Sequence, residues 1–382
     1  MGDRQLIDTH FMRLALRLAR RGYGRTSPNP MVGAVLVRNE KIIGRGWHRR
    51  AGEPHAEIEA IRDVERRGGS ARGATLYVTL EPCSTHGRTP PCTEAIRAAG
   101  IRRVVAATTD ANPKHAGRGF QILRRAGINV FTGVLAEEAD RLNEAFNHWI
   151  VHRTPFVTVK TAMTLDGKIA TAAGESKWIT GEKARGQAMK LRHGADAILA
   201  GVKTVLADDP SLTARNPRSV IRNPNLRRIV LDAQARTPAT AKVVNDSDAP
   251  LTTIVVGRSA PGNRVTALAE RVNVMVAPLA KSKIENRKSK IQLRWLLKRL
   301  GAEDVTSLLV EGGGEINASF LLGGFAHRIA FFYAPKILGG REARKAVAGE
   351  GIGRLEEIIR LREVEWRRLG PDLLLTARVE PH

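Results

Sequence analysis

The two cysteines of the chain, Cys83 and Cys92, lie in one short stretch, EPCSTHGRTPPC at residues 81–92. A histidine and a glutamate precede that stretch in the sequence His55-Ala-Glu57. Zinc prefers thiolate and imidazole ligands, and a catalytic zinc site takes three of them and leaves the fourth position for water. His55, Cys83 and Cys92 supply that number, so the sequence predicts one zinc ion bound per chain.

Glu57 is predicted to be a proton carrier rather than a ligand. Bound zinc lowers the pKa of its water from about 16 to about 7, which provides hydroxide near neutral pH. Hydrolysis of a carbon–nitrogen bond then needs a group that carries protons to the leaving amine. The order H-x-E, then P-C and a second cysteine, is the signature of zinc nucleobase deaminases, with a longer cysteine spacing in this chain.

Taken singly, these residues have ordinary interpretations: a histidine as a satisfied surface or core residue, a cysteine as a small buried hydrophobe. Their joint occurrence at the ends of predicted strands and helices favours the zinc site. His86, inside the same loop, is equally compatible with lining the site and with facing solvent.

The metal site requires elements that end at these residues. Residues i and i+2 of a helix are separated by about 200° around its axis, so they do not share a face. His55 and Glu57 therefore converge only at a helix start, where Pro54 places them. A strand at 74–80 leads into Cys83, and a helix beginning near Pro91 starts beside Cys92. Helix starts present a positive dipole end and backbone donors, which favour ionised thiols.

The length of 382 residues fits two domains, each large enough for its own core. Strand and helix patterns alternate closely in both halves, which indicates layered α/β domains. Pro155 interrupts the pattern after an amphipathic helix predicted at 136–150, so the boundary is placed between domains 1–152 and 153–382.

No run of about 18 apolar residues is present, and the basic N-terminal segment lacks the apolar core of a signal peptide. We therefore expect a cytoplasmic protein, in which a cysteine pair is more often a metal site than a disulfide.

The formal net charge of +24 permits a second interpretation, in which the zinc site acts on a base in nucleic acid. The basic residues are dispersed, however, and aromatic–basic interleaving for base stacking is missing, so no nucleic-acid partner is expected. The one local basic run, KSKIENRKSK at 281–290, is interpreted as a solvated loop or insertion. A third possibility is a structural zinc that takes no part in catalysis.

The second half contains loops suited to phosphates. Three glycines follow a strand and precede a helix in LLVEGGGEINASF at 308–320, where backbone N–H groups can approach a phosphate. The alternative is a flexible turn, because no G-x-G-x-x-G pattern accompanies them. Arg192 and Arg215 lie near these loops and are candidates for bidentate phosphate binding or for solvated surface positions. Trp178 is by itself more typical of a core residue than of a cofactor wall.

The motifs SPNPMVGAVLV, GEPHAEIEAI and GATLYVTLEPC in the first half resemble the deaminase half of the bacterial bifunctional riboflavin-biosynthesis deaminase/reductases. The motifs TLDGKIA, GESKWIT, LADDPSLTAR and VEGGG resemble the reductase half, and together the two matches cover nearly the whole chain. The resemblance implies a cytidine-deaminase-like α/β/α domain followed by a dihydrofolate-reductase-like α/β domain. It also implies zinc-dependent deamination of 2,5-diamino-6-ribosylamino-4(3H)-pyrimidinone 5′-phosphate, then NADPH-dependent reduction of the ribosyl group to ribityl.

Site residues carried over from that family fall into two sets in the second half. The resemblance implies that NADPH contacts Ala162, Trp178, Thr204, Asp208, Gly313, Gly314, Glu315, Ile316, Asn317, Ala318 and Ser319. It implies that the phosphorylated pyrimidine substrate contacts Ser176, Arg192, Leu212, Arg215 and Glu311. Because cytidine-deaminase-like domains commonly pair, a homo-oligomer is expected.

Overall fold

The computed structural model describes residues 2–85, 90–214, 223–278 and 291–380. These residues form two compact units, Met1–Arg153 and Thr154–His382. None of the helices in the described ranges combines the length and the apolarity that crossing a bilayer requires.

The first unit is built on a five-stranded sheet in the described part of the chain. Its strands are β1 Gly33–Arg38, β2 Lys41–Trp47, β3 Thr75–Leu80, β4 Arg103–Thr108 and β5 Asn129–Thr132. Its helices are α1 Gly2–Ala19, α2 Ala56–Arg66, α3 Cys92–Ala98, α4 Arg118–Arg125, α5 Ala136–Leu142 and α6 Glu144–His152. The strand order is β2-β1-β3-β4-β5, with β1 antiparallel to β2 and β3, and with β3, β4 and β5 parallel to one another.

Side chains of the sheet alternate between two apolar cores. In β1, Ala34 and Leu36 pack with α2, α3 and α4 residues on one face, whereas Val35 and Val37 pack with α1 on the other. A strand buried on both faces reads as a continuous apolar run, as GAVLV does. The predicted α/β/α layering of this unit is therefore confirmed.

The helix predicted at 136–150 is in fact two helices, and the single-helix prediction was wrong. The break is at Asn143, whose backbone has φ −110° and ψ 20°. The Asn143 side chain is used for other bonds: Oδ1 accepts from the Met31 N–H at 2.8 Å, and Nδ2 donates to the Met31 carbonyl at 2.9 Å. The break between the helices places this buried amide against the segment that leads into β1.

The second unit contains a nine-stranded sheet and a two-stranded ribbon within the described ranges. The nine strands are β6 Phe156–Thr164, β8 Ala197–Gly201, β9 Arg227–Leu231, β10 Thr252–Gly257, β11 Asn273–Ala277, β12 Ser307–Val310, β13 Arg328–Ala334, β15 Leu361–Leu369 and β16 Asp372–Val379. The ribbon pairs β7 Lys168–Ala170 with β14 Arg344–Lys345. The helices are α7 Glu182–Gly194, α8 Val202–Asp208, α9 Lys242–Asn245, α10 Gly262–Ala269, α11 Leu293–Ala302 and α12 Gly314–Leu321.

The strand order of the large sheet is β11-β10-β9-β8-β12-β6-β13-β16-β15. All pairs from β11 to β13 are parallel, and β16 and β15 are added antiparallel. Apolar clusters cover both faces of the parallel part. The carboxyl ends of the parallel strands therefore lie along one edge, where α/β sheets bind ligands, and this arrangement confirms the predicted α/β class.

Candidate functional sites

The predicted zinc ligands meet in the first unit. One ligand atom from each of His55, Cys83 and Cys92 lies within 4.8 Å of the others. The Nδ1 atom of His55 is 3.3 Å from the Cys92 sulfur and 3.5 Å from the Cys83 sulfur. Both cysteines are free thiols. The three side chains therefore have the chemistry and the spacing to share one metal ion.

Each ligand lies where a secondary-structure element begins or ends. His55 is the N-cap of α2, with extended backbone angles of φ −70° and ψ 164°, so its side chain is not constrained to a helical face. Cys83 follows the end of β3 by three residues, and Cys92 is the first residue of α3. This arrangement matches the geometric argument that H-x-E converges only at a helix start.

Glu57 lies in the first turn of α2 and is almost fully buried, with 3% of its surface exposed. Burial raises the pKa of its carboxyl to about 7. A carboxyl group with a pKa near neutral pH can both accept and donate a proton, which suits a group that shuttles protons.

The two sulfur atoms have opposite tendencies. The pKa of Cys83 is lowered to about 4 by hydrogen bonds from the Cys92 side chain, from His55 and from the Cys92 backbone N–H. The Cys92 backbone nitrogen lies 3.2 Å from the Cys83 sulfur. The pKa of Cys92 is raised, because its thiol donates to Cys83 and is buried. Two thiols this close ionise together only when a cation neutralises them, so this donor set fits Zn²⁺.

A second histidine, which the sequence reasoning did not single out, lies against the metal ligands. The rings of His48 and His55 are 5.4 Å apart and nearly perpendicular. His48 Nδ1 is 3.2 Å from the Pro54 carbonyl and Nε2 is 3.2 Å from the Asn29 amide nitrogen. Burial lowers the pKa of His48. A neutral ring donating from Nδ1 and accepting at Nε2 satisfies both contacts.

Glu81 organises the loop on the other side of the cysteines. Its buried carboxylate accepts backbone N–H bonds from Asp110, Gly117 and Gly119 at 3.1, 2.8 and 2.8 Å. Because Glu81 precedes Cys83 by two residues, one carboxylate connects the metal loop to the loop after β4. The glutamate of the motif LEPC was visible in the sequence, but its partners were not.

In the second unit, two of the residues expected to bind substrate form an ion pair. Arg192 of α7 donates from Nε and Nη2 to Glu311, which follows β12, at 2.8 and 2.9 Å. Lys160 of β6 is 3.2 Å from the same carboxylate and was missed by the sequence reasoning. Burial alone would raise the pKa of Glu311. The positive charges of Arg192 and then Lys160 outweigh burial and hold the pKa of Glu311 at about 2. Two cations and one carboxylate leave this buried cluster with a net positive charge.

Other predicted residues of the second unit make contacts of their own. Arg192 Nη1 donates to the carbonyl of Thr213 at 3.0 Å, next to the buried Leu212. The hydroxyl of Ser176 donates to Asp208 at 2.8 Å. Trp178, two residues later, is 67% exposed, and the Arg185 guanidinium lies 4.7 Å from its ring centroid. Ala162 lies on β6, opposite Phe332 of β13.

The glycine turn lies at the N-terminus of α12. Among the described residues, a Cβ built on Gly313 would have only the Thr204 hydroxyl within 4 Å, at 4.0 Å, whereas one on Gly314 would meet the Lys345 carbonyl at 2.2 Å. The space over Gly313 is therefore open, and the helix N-terminus is accessible from it. This backbone cradle fits the phosphates of a dinucleotide.

The remaining predicted residues of α12 point in several directions. Asn317 is fully buried and donates to the Ala346 carbonyl at 2.8 Å, while its Oδ1 has no hydrogen-bond partner among the described residues. Ser319 donates to the Glu315 carbonyl at 2.7 Å. Ile316 would be touched by a Cβ at Gly201, which places it against the end of β8. Ala318 is buried and lies near Gly349.

Three positions considered from the sequence, His86, Arg215 and the tract 281–290, lie outside the described residues.

Two family models match the chain. The model of the RibD C-terminal domain matches residues 155–375, and the model described as the cytidine and deoxycytidylate deaminase zinc-binding region matches residues 6–108. The two matches fall in different units of the structure.

Curated relatives match over nearly the full length. The riboflavin biosynthesis protein RibD of Aquifex aeolicus is 45% identical over 369 residues, covering 97% of this chain and 98% of that protein. RibD of Escherichia coli is 39% identical over 377 residues, covering 96% and 98%.

Solved structures also match over nearly the full length of the chain. The structure of Acinetobacter baumannii RibD matches with a TM-score of 0.85 and 33% identity, covering 98% of this chain and 99% of that one. A Thermotoga maritima protein, described as a diaminohydroxyphosphoribosylaminopyrimidine deaminase and 5-amino-6-(5-phosphoribosylamino)uracil reductase, matches with a TM-score of 0.80 and 34% identity over 99% and 100% of the chains.

Proposed function

The chain belongs to the RibD family of riboflavin-biosynthesis enzymes, and from this premise we propose which of its own residues perform each reaction. The protein is bifunctional, with a zinc-dependent deaminase and an NADPH-dependent reductase. We propose that it first hydrolyses the 2-amino group of 2,5-diamino-6-ribosylamino-4(3H)-pyrimidinone 5′-phosphate. It then reduces the ribosyl group of the product to give 5-amino-6-ribitylaminouracil 5′-phosphate.

The two activities are assigned to residues 1–152 and 153–382. Support comes from the positions of the two sites: the His/Cys cluster belongs to the first compact unit, and the Glu311 cluster and the glycine turn belong to the second.

His55, Cys83 and Cys92 are proposed to hold the zinc ion. Zinc, when bound, acts as a Lewis acid that makes water nucleophilic near neutral pH. Glu57 accepts the proton of the attacking water and delivers it to the leaving amine, because its buried carboxyl has a pKa of about 7 and lies in the first turn beside His55. The convergence of these ligands with a buried carboxyl is the observation that carries the deaminase assignment.

His48 and Asn29 are proposed to shape the base pocket next to the zinc ligands. The neutral imidazole of His48, held by the Pro54 carbonyl, keeps one defined tautomer. It therefore orients the base and does not transfer protons. The Glu81 carboxylate positions the neighbouring loop at Asp110 by direct backbone bonds.

NADPH is proposed to bind along the carboxyl edge of the large sheet. Its phosphates would lie at the open backbone of Gly313 and the start of α12, between Thr204 and the helix. The full set of proposed cofactor contacts is Ala162, Trp178, Thr204, Asp208, Gly313, Gly314, Glu315, Ile316, Asn317, Ala318 and Ser319. NADPH, when bound, supplies the hydride; the protein contributes position and charge.

The substrate of the reductase is proposed to contact Ser176, Arg192, Leu212, Arg215 and Glu311. Arg192 and Lys160 give the pocket a positive charge that suits a phosphorylated sugar, and Glu311 fixes the guanidinium of Arg192 in one plane. Because NADPH supplies the hydride, the reductase site requires no nucleophilic side chain.

The purified protein, incubated with the diaminopyrimidinone phosphate, tests the order of reactions. Deamination is expected without NADPH, with one zinc per chain by metal analysis, and NADPH oxidation is expected only after deamination. Oxidation of NADPH at full rate with a substrate that retains its 2-amino group would contradict the proposed order.

We also propose that the protein is a cytoplasmic homo-oligomer that acts on a small molecule and binds no nucleic acid. The two free thiols support a reducing compartment. A mobility-shift assay with single-stranded RNA at physiological salt tests the last point, because tight retention of the RNA would favour the nucleic-acid interpretation.

A further inference from the structure

The segment between β7 and α7 carries Trp178, whose indole ring is exposed. An exposed indole lacks the close packing that holds an aromatic ring in a core, so other contacts must set its position. Arg185 of α7 supplies one of them. Its guanidinium lies 4.7 Å from the ring centroid, and its Nη1 donates to the Thr180 carbonyl at 2.8 Å. These contacts orient the ring, but they leave the backbone at Trp178 to be held by another group.

The ammonium group of Lys336 holds that backbone. It donates to the carbonyls of Trp178 and Ile179 at 3.1 and 2.8 Å. Lys336 follows the end of β13 by two residues and is 158 positions from Trp178 in the chain. An ammonium carries three donors that can rotate, so one lysine can serve two successive carbonyls. Because both carbonyls bond to one nitrogen, the direction of the peptide between them is restricted.

The backbone that carries Lys336 is itself attached to the turn between β6 and β7. The Lys336 carbonyl accepts from the Leu165 N–H at 2.8 Å. The Asp166 carboxylate accepts from the N–H groups of Leu338 and Gly339 at 3.1 and 2.8 Å. The lysine therefore reaches Trp178 from an anchored position, which a side chain needs if it is to hold another segment in place.

Two carboxylates hold the segment on either side of Trp178. The hydroxyl of Ser176 donates to Asp208, the last residue of α8, at 2.8 Å. The N–H of Gly181 donates to Asp372, the buried first residue of β16, at 2.8 Å. The segment is thus attached at both ends, and Lys336 provides the attachment at Trp178 itself.

We propose that Lys336 is a positioning residue for the reductase cofactor, which holds the backbone at Trp178 so that the indole meets NADPH. This inference rests on the proposed contact between Trp178 and NADPH. Ordering a side chain or a loop during binding costs free energy, so a segment that is already in place binds its ligand more tightly. Lys336 belongs to neither of the residue sets assigned to NADPH and to the substrate.

A direct attraction between the Lys336 ammonium and the phosphates of NADPH is the competing explanation. The two explanations differ in whether they require the indole. Direct attraction acts whether or not Trp178 is present, whereas positioning is transmitted through Trp178. A general structural role of Lys336 would also act independently of the indole. A double-mutant cycle between the two residues therefore separates positioning from both alternatives.

Calorimetric titration of the full-length protein with NADPH tests the proposal. Lys336→Met removes the ammonium but keeps a long side chain, and it is expected to raise the dissociation constant about five- to tenfold. Trp178→Ala is expected to raise it about tenfold or more. In the Trp178→Ala background, Lys336→Met is expected to add no more than about twofold. Lys298→Met, at an exposed position of α11, removes the same charge and should bind NADPH as wild type does.

Equal effects of Lys336→Met in the wild-type and Trp178→Ala backgrounds would overturn the proposal, since its action would not pass through the indole. A normal dissociation constant in Lys336→Met, with weakened binding in Trp178→Ala, would remove the role of Lys336 and leave the cofactor contact standing. A normal dissociation constant in Trp178→Ala would remove that contact and the role of Lys336 with it. Melting temperatures and deaminase activities of the variants report that both units are folded.

Discussion

Arg192 of α7 and Glu311, which directly follows β12, are joined by two parallel hydrogen bonds of 2.8 and 2.9 Å. Lys160 contacts the same carboxylate from β6. The side chains are 9% to 16% exposed, so they interact in a largely water-excluded setting. This pairing fixes the direction of the Arg192 guanidinium, and several consequences can be measured.

Replacing Arg192 by lysine keeps the charge but removes the planar two-point contact. We expect the KM of the reductase for its substrate to rise about tenfold or more, with deaminase activity unchanged. Arg264→Lys on the exposed side of α10 is the matched control and should behave as wild type. If Arg192→Lys kept a normal KM, the guanidinium would not be a substrate contact.

The pKa of Glu311 predicts an acid sensitivity of the second unit. Its pKa is about 2 in the folded protein, against 4.5 for an ordinary glutamate. As the pH falls, the unfolded chain binds the proton first, so the stability that Glu311 contributes is complete above about pH 4.5 and is lost progressively toward about pH 2. Urea unfolding at a series of pH values should show this loss.

The variant Glu311→Gln should be less stable at pH 7 by about 3 kcal/mol, because Arg192 and Lys160 lose their buried partner. Its stability should also fall less steeply between pH 4.5 and pH 2 than that of wild type. Asp166, whose pKa is also about 2 because of bonds from Thr164, Leu338 and Gly339, supplies a second acid-sensitive group. Asp166→Asn therefore serves as a comparison, and equal steepness in Glu311→Gln and wild type would contradict the assignment to Glu311.

Glu57→Gln should separate metal binding from catalysis. The variant is expected to keep one zinc per chain and to lose deaminase activity by about 10²- to 10⁴-fold, since the proton carrier is gone. Reduction of a substrate that has already been deaminated should continue at the wild-type rate. Glu65→Gln, on an exposed position of α2, is the control. Full deaminase activity in Glu57→Gln would support a structural zinc instead.

The glycine turn offers a test with two neighbouring positions. Gly313→Ala places a methyl group in open space, so the protein should fold normally while the KM for NADPH rises about tenfold because phosphate approach is blocked. Gly314→Ala would drive Cβ to 2.2 Å from the Lys345 carbonyl and is expected to destabilise the unit by about 1–3 kcal/mol. A thermal melt and NADPH titration of both variants distinguish the two effects. An unchanged KM in Gly313→Ala would remove the phosphate from this turn.

The sequence predicted the metal cluster because its residue types are rare in the chain and because each stands at the end of a recognisable element. The signal for each of His55, Cys83 and Cys92 is local, because each stands beside the start or end of α2, β3 or α3, whereas their closeness in space depends on how those elements pack. His48 was not predicted, since one histidine after a strand has no distinguishing pattern until its neighbour Asn29 is placed beside it.

Lys160 shows the limit of local reasoning most clearly. It stands in the strand sequence FVTVKTAM, and its meaning depends on Glu311, which is 151 positions away in the chain. The layered α/β class follows from the alternation of strand and helix patterns. The order of strands in the large sheet, with β12 inserted between β8 and β6, depends on long-range packing and could not be predicted from local patterns.

The bonds between Asn143 and Met31 have a practical consequence for dissecting the enzyme. The zinc-binding family match stops at residue 108, but the backbone groups of Met31 are satisfied by a side chain beyond that limit. An excised catalytic fragment that ended at residue 108 would lose both of these part-buried bonds and the packing of Ala139 against α1 and the sheet. The smallest independently expressible deaminase is therefore expected to extend through α6.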